Sequence, residues 1–407
     1  MTPTFSSRLS WPAHANALAK ARAERIAGGG RILDLSESNP TRVGLESARP
    51  GPDWPLGLLA DRESLRYEPD PQGLIRAREA LAALYSEEAA QATAAARPPG
   101  PDDLFLCAST SEAYGWLFKL LCDPGDAVLV PKPGYPLFDY LAGLESVEAR
   151  PYRLEYAHPA GWSMDLDSVE EAIRRGRVKA VVLINPNNPT GSYVRGEERR
   201  RIVDLCERHG IAIVSDEVFF GFPVEGGERS SLAGEREVLT FVLDGLSKRL
   251  GLPQMKLGWI AASGPAALLE EARGRLEIVA DTYLSAAAPV MNALPRLLSE
   301  GRPFAQALRA RLAANMAALR GILEGPGSPH RLLRCGGGWT ALVESPALAS
   351  EEELALGLLR EEGLWSQPGF LFDMEKEAFF TMSLILRPED LSEGARAYLR
   401  RFEALMR

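Results

Sequence analysis

The stretch AVVLINPNNPTGSYVRGEERRRIVDLCERHGIAIVSDEV, residues 180–218, decides the fold. It opens on an apolar run, Ala180–Ile184, and breaks at a turn with two prolines and a glycine. It continues through the amphipathic stretch Glu197–His209 and returns as a second apolar run, Ile211–Val214. Strand, irregular turn, helix and strand in this order make a unit of parallel sheet covered by helices.

The same rhythm extends outward. Leu104–Cys107, Ala127–Val130, Leu239–Leu243 and Trp259–Ala262 are further strand candidates, and Glu112–Leu121 is a helix candidate. Upstream, residues 71–85 set Leu74, Ile75, Ala77, Leu81 and Leu84 at helical spacing, and residues 86–101 read as a helix end and an exposed loop. Downstream the pattern becomes mixed. A long helix over 303–324, a break at Gly336-Gly337-Gly338, the helix Glu351–Glu362 among short strands and a last helix Asp390–Met406 predict a smaller α+β domain. Ligands of parallel sheets gather beyond the carboxyl ends of the strands, so chemistry is sought there.

A net charge of −9 without a basic stripe points away from nucleic acid and anionic membranes as partners. Cys107, Cys122, Cys206 and Cys335 form no C-x-x-C pair and the four histidines are scattered, so no metal site is expected. Met1–Ser10 lacks the apolar core of a secretory signal, and no apolar run approaches the roughly 18–20 residues of a membrane helix. A cytoplasmic protein is expected.

Four features stand at the ends of strand candidates. Asn185-Pro-Asn-Asn188-Pro-Thr-Gly191 would hold Asn188 rigidly on an irregular turn. Ser215-Asp216-Glu217-Val218 puts a carboxylate where it could face a positively charged ring. Gly245-Leu246-Ser247-Lys248 sets a lysine after a buried strand, where its amine could form a Schiff base with an aldehyde. Ala108-Ser109-Thr110-Ser111-Glu112 opens a helix, and free N–H groups there suit a phosphate. Each has a plainer reading as a turn, a loop cap, a surface lysine or a helix cap. Together they describe a site for pyridoxal 5'-phosphate.

These motifs, in this order and spacing, resemble the class I/II aminotransferases, fold-type I enzymes that use pyridoxal phosphate. The resemblance runs from about Leu35 to the C-terminus. It implies an α/β fold with a mostly parallel seven-stranded sheet in a large cofactor domain, residues 50–295, and a small α+β domain from 1–49 and 296–407. It implies that Lys248 is the Schiff-base lysine and proton carrier, Asp216 the partner of the ring nitrogen and Asn188 the donor to the ring oxygen. Tyr135 corresponds to the ring that stacks on the cofactor, Thr110 and Ser111 to the phosphate cradle, and Ser38 to backbone that closes over substrate. Tyr67 corresponds to a tyrosine that reaches the neighbouring subunit's phosphate. With Tyr283-Leu284-Ser285 as an interface segment, this implies a homodimer with its active site at the interface.

Four positions depart from the family pattern. Lys256 stands where arginine is usual, as a point charge and not a fork. Gly245 replaces a common phosphate-binding serine, and Phe219 a tyrosine that serves the ring oxygen. Thr381 occupies the position of the arginine that binds the substrate carboxylate, with Arg387 six residues beyond. The resulting expectation is ping-pong transfer of an amino group from an amino acid to a 2-oxo acid. Other pyridoxal-phosphate chemistry on the same scaffold, such as elimination or synthesis, and a cofactor-binding sensor without turnover are the alternatives. Phe138 and Phe219 either line a pocket for apolar side chains or belong to the core.

Overall fold

The computed structural model describes residues 5–11, 16–91 and 97–407. At its centre stand β1 (Leu104–Cys107), β2 (Ala127–Lys132), β3 (Glu148–Ala157), β4 (Gly161–Met164), β5 (Val178–Ile184), β6 (Ala212–Asp216), β7 (Thr240–Gly245) and β8 (Gly258–Ser263). They form one sheet in the order β1-β8-β7-β6-β5-β2-β3-β4. The middle of the sheet, from β7 across to β3, is parallel. β8 runs against both of its neighbours, and β4 folds back on β3.

The fold is α/β as expected, but among the described residues the sheet has eight strands and not seven. The reading of the sequence contains neither β3 nor β4. In β3 only Arg150 and Tyr152 are buried, and Glu148, Arg153 and Glu155 are exposed, so no apolar run marks it. Pro151 also interrupts the run, and proline is tolerated only near a sheet margin, where no ladder partner needs its missing N–H. β4 is the short return of that hairpin.

Helices cover both faces. Phe105, Val128, Val182, Phe241 and Ile260 pack on one face beneath the helices Thr110–Leu121 and Ala266–Tyr283. Leu106, Leu129, Val181, Ile213 and Trp259 pack on the other, beneath Ile75–Gln91, Gly196–His209 and Ala288–Glu300. Each fully buried side chain of this size contributes about 1.5–3 kcal/mol. The helix expected over 71–85 starts only at Ile75, because Pro71 and Gly73 belong to the turn before it. Residues 92–96 of the expected loop, and residues 1–4 of the polar start, lie outside the described residues.

A third core forms around the helices Arg302–Leu323 and Pro388–Met406. They pack on an antiparallel sheet of β9 (Arg331–Leu332), β10 (Thr340–Glu344), β11 (Gln367–Pro368) and β12 (Phe379–Ser383), ordered β9-β10-β12-β11. Leu35, Val43 and Leu45 from the N-terminal part join this core, and Leu33–Asp34 pairs with Leu364–Trp365. Phe222 and Trp339 belong to it as well, which brings it against the ends of the central strands. Among the described residues no helix is long and apolar enough to cross a membrane.

Candidate active site

The carboxyl ends of β1, β2, β5, β6 and β7 open onto one edge of the sheet, and β8 begins there because it runs the other way. Asp216 is the last residue of β6. Its Oδ1 accepts the Val218 backbone N–H at 3.2 Å, and its Oδ2 accepts the Tyr114 hydroxyl at 3.1 Å. Burial pushes its carboxyl up to about 6. The two donors and the positive charge of Lys248 oppose that rise without cancelling it.

Lys248 lies in the helical turn Leu246–Arg249 that follows β7. Its Nζ sits 4.9 Å from the ring centre of Trp339 and 5.4 Å from that of Phe219. Burial lowers the pKa of its amine, against the opposing pull of Asp216. An amine freed of its proton more readily is a better nucleophile and base. Phe219, one of the two residues with an open reading, is therefore a wall of the site. Phe138 is core: it is 5% exposed and packs edge-on against Tyr114 with ring centres 5.1 Å apart.

The asparagine turn divides its labour. Asn185 Nδ2 donates to Ser230 O at 2.8 Å, and its Oδ1 accepts from Val194 N at 3.0 Å. Asn187 Nδ2 donates to Pro133 O at 3.1 Å and to Thr190 Oγ1 at 2.9 Å. These two hold the turn and tie it to the loop of Tyr135. Asn188 is left to face the site, where its Oδ1 accepts from Thr340 Oγ1 at 3.4 Å. Gly191 closes the turn at φ 69, and a Cβ there would lie 2.5 Å from the Cys335 sulfur.

Thr110 and Ser111 are the first two residues of the helix that follows β1. Ser109 caps that helix, accepting from Glu112 N at 3.2 Å, so its own hydroxyl is engaged. Gly258 faces this helix start: a Cβ there would lie 3.2 Å from Ser109 C and 3.3 Å from Thr110 N. Gly245 packs as closely, with 3.0 Å from such a Cβ to Leu257 O, which accounts for glycine where a serine was the comparison. Lys256 is exposed and held at φ 50. That conformation costs a residue with a side chain about 1–2 kcal/mol. Its charge acts on Cys107 at the end of β1.

Of the other expected residues, Tyr135 lies within reach of the charge of Asp216, and the rest show no recorded contact with Lys248 or Asp216 in the single chain. Tyr67 is 82% exposed. Ser38 is exposed, and the carbonyl beside it, Glu37 O, accepts from Ser383 Oγ at 2.7 Å. Tyr135 keeps 45% exposure, although burial first and Asp216 second raise its hydroxyl pKa. Thr381 is 1% exposed in β12, with its hydroxyl 3.4 Å from Gln367 O. Arg387 is exposed at the start of the last helix, beside Gly44.

Tyr114, Trp339 and Thr340 are contacts of the site that the sequence reading omits. Tyr114 stands four residues after Thr110, one helical turn along the same face. Trp339 follows three glycines, a usable sign of backbone approaching another element.

A family model described as aminotransferase class I and II matches residues 31–397. The alanine aminotransferase of Mycobacterium tuberculosis is 32% identical over 263 residues, 62% of this chain and 56% of that protein. The glutamate-pyruvate aminotransferase of Escherichia coli is 28% identical over 272 residues, 66% of this chain and 64% of that protein. The chain thus matches less than two thirds of the length of these relatives. Among solved structures, an alanine aminotransferase from Pyrococcus furiosus superposes with a TM-score of 0.84 at 23% identity, covering 99% of both chains. An aminotransferase from Escherichia coli gives 0.82 at 23% identity over 98% of both chains.

Proposed function

Since the chain belongs to the class I and II aminotransferase family, we propose that it is a pyridoxal-phosphate-dependent aminotransferase acting on an amino acid and a 2-oxo acid. One observation carries the reading. Asp216 ends β6 with its carboxyl raised by burial, and no ion pair among the described residues includes it. A protonated pyridine nitrogen is the partner such a carboxylate lacks. The helix start at Thr110, kept open by Gly258, fits the phosphate of the same molecule.

Lys248 would hold the cofactor, Asp216 its ring nitrogen and Asn188 its ring oxygen. Thr110, Ser111 and Lys256 would hold its phosphate, and Tyr135 would lie against the ring. When bound, pyridoxal phosphate draws electrons away from the α-carbon of an amino acid. The chain's own part is to place and move protons. Lys248 Nζ, with its pKa lowered by burial, takes the proton of the substrate α-carbon. Asp216, held by Tyr114 and Val218, keeps its charge on the ring side of the site. Phe219 and Trp339 keep water from the amine.

The chain divides, in this reading, into a cofactor domain of residues 50–295 and a small domain of 1–49 and 296–407. Exposed Tyr67 and the 283–285 segment would meet a second copy, giving a homodimer in which Tyr67 completes the partner's phosphate site and Ser38 covers substrate. Four free thiols suit a cytoplasmic enzyme. The named relatives make alanine, glutamate and pyruvate the first substrates to try. Thr381 favours a second reading, a lyase or synthase on the same scaffold, because it offers the substrate carboxylate no cation.

The test is the visible absorbance of the protein mixed with pyridoxal phosphate, followed as amino acids are added singly without an oxo acid. A band that one amino acid converts, and that Lys248→Ala never forms, supports transfer. A band that no amino acid converts, or ammonia released without an acceptor, favours the second reading. No band at all refutes both.

A further inference from the structure

The turn that carries Lys248 is closed by a buried ion pair that the chemistry above leaves unused. Asp244 precedes the turn and Arg249 ends it. Arg249 Nε donates to Asp244 Oδ2 at 2.8 Å, and Arg249 Nη2 makes a second, shorter contact with the same oxygen. The other carboxylate oxygen, Oδ1, accepts from Gly245 N at 2.6 Å. The ring so formed encloses residues 245–248.

The clamp is also anchored outside the turn. Arg249 Nη1 donates to Glu88 Oε1 at 2.6 Å, and Glu88 lies on the helix Ile75–Gln91, which covers the same sheet face that Val242 and Leu246 fill. Leu246 N donates to Leu257 O at 3.0 Å, which fixes the turn to the segment leading into β8. Asp244 is 2% exposed. A buried pair of this kind often adds little net stability over apolar residues of the same volume, so stability alone does not account for it. Its geometry does. The planar guanidinium spans two carboxylates from three separate nitrogens in a fixed fork, a geometry that the single nitrogen of a lysine does not reproduce. The backbone from which Lys248 extends is therefore held from both ends and from below, while Phe219 and Trp339 bound the side chain's tip.

We propose that Arg249, bridging Asp244 and Glu88, is a positioning residue that fixes the turn from which Lys248 reaches the reacting atoms. The proposal rests on the functional reading above. Small displacements of a proton carrier slow proton transfer far more than they weaken binding.

The experiment compares the parent with Arg249→Lys, both loaded with pyridoxal phosphate. It reads kcat and KM for L-alanine, or for the donor that the absorbance panel identifies, and the isotope effect with the donor deuterated at its α-carbon. It also reads the pH midpoint of the visible band. In Arg249→Lys, kcat is expected to fall about tenfold or more, with KM within about twofold, because the loss lies in the transition state. The isotope effect should rise and the midpoint shift. A smaller folded fraction would lower kcat and leave both of those readings at parental values. A folded Arg249→Lys with parental isotope effect and midpoint overturns the proposal. If Arg249→Lys does not fold, Glu88→Gln decides, since that side chain is 41% exposed and its loss is tolerable. The same shifts at smaller size support the clamp, and parental values overturn it. A parent that takes up no pyridoxal phosphate overturns the functional reading and this one together. A working parent matched by its variants overturns this one alone.

Discussion

The hydroxyl of Tyr114 donates to Asp216 across 3.1 Å, from the helix after β1 to the end of β6. It is the one side-chain hydrogen bond recorded for that carboxylate among the described residues. A hydrogen bond to a charged group contributes about 1.5–3 kcal/mol, so Tyr114→Phe should weaken binding of pyridoxal phosphate by roughly 10- to 100-fold. Because the donor favours the ionised carboxyl, its loss raises the Asp216 pKa further, and the defect should be largest at mildly acidic pH. Equilibrium binding at pH 6 and pH 8 checks both points; unchanged affinity would show that this bond does not support the cofactor.

Glu217, beside it, is 5% exposed and forms no ion pair among the described residues. It accepts from Ser231 Oγ at 2.6 Å, Leu232 N at 2.9 Å and Ser215 Oγ at 3.0 Å, yet burial pushes its carboxyl up to about 7. A carboxyl raised on folding contributes stability below its unfolded pKa and loses it as pH rises through the folded value. Stability of Glu217→Gln relative to the parent should therefore climb between about pH 4.5 and pH 7 and level off above, by about 1–3 kcal/mol. Urea unfolding at pH 4.5, 6 and 8 measures the difference; a flat difference refutes it.

Gly258→Ala sets a methyl 3.2 Å from Ser109 C and 3.3 Å from Thr110 N, backbone atoms that cannot swing aside. The helix start must shift, and phosphate binding there should weaken by about tenfold or more, since site geometry tolerates little displacement. Titration with pyridoxal phosphate checks it, against Gly321→Ala as a substitution on an exposed helix face with nothing within 4 Å.

Trp339 is 3% exposed between Phe219 and Phe222, at ring distances of 5.3 and 5.5 Å. Trp339→Ala should cost about 3–5 kcal/mol of folding stability through the cavity it leaves. Trp339→Phe should recover most of that in chemical denaturation. An alanine variant as stable as the parent would mean that the wall is not packed as described.

Much of this was legible in the chain because strand ends have a grammar. Lys248, Asp216 and Asn188 each follow an apolar run at once, and the structure sets them at one sheet edge. β3 was hidden because it carries arginines and a proline where a buried strand would carry valines. Tyr114 was hidden for the opposite reason: its ring fills the core under an apolar helix face, and only its oxygen emerges. Trp339 and Thr340 lie roughly ninety residues beyond Lys248, and no local pattern expresses that approach. Tyr67 and Ser38 are exposed in the single chain, and the roles proposed for them rest on the resemblance alone.

Trp339 grows from one core and Lys248 from another. In the proposed reading the Lys248 amine thus has its floor and its ceiling in separate packing units, and neither unit alone encloses it. In that reading, a change around Trp339 alters the roof of the pocket, while the turn of Lys248 keeps its own support on the central sheet.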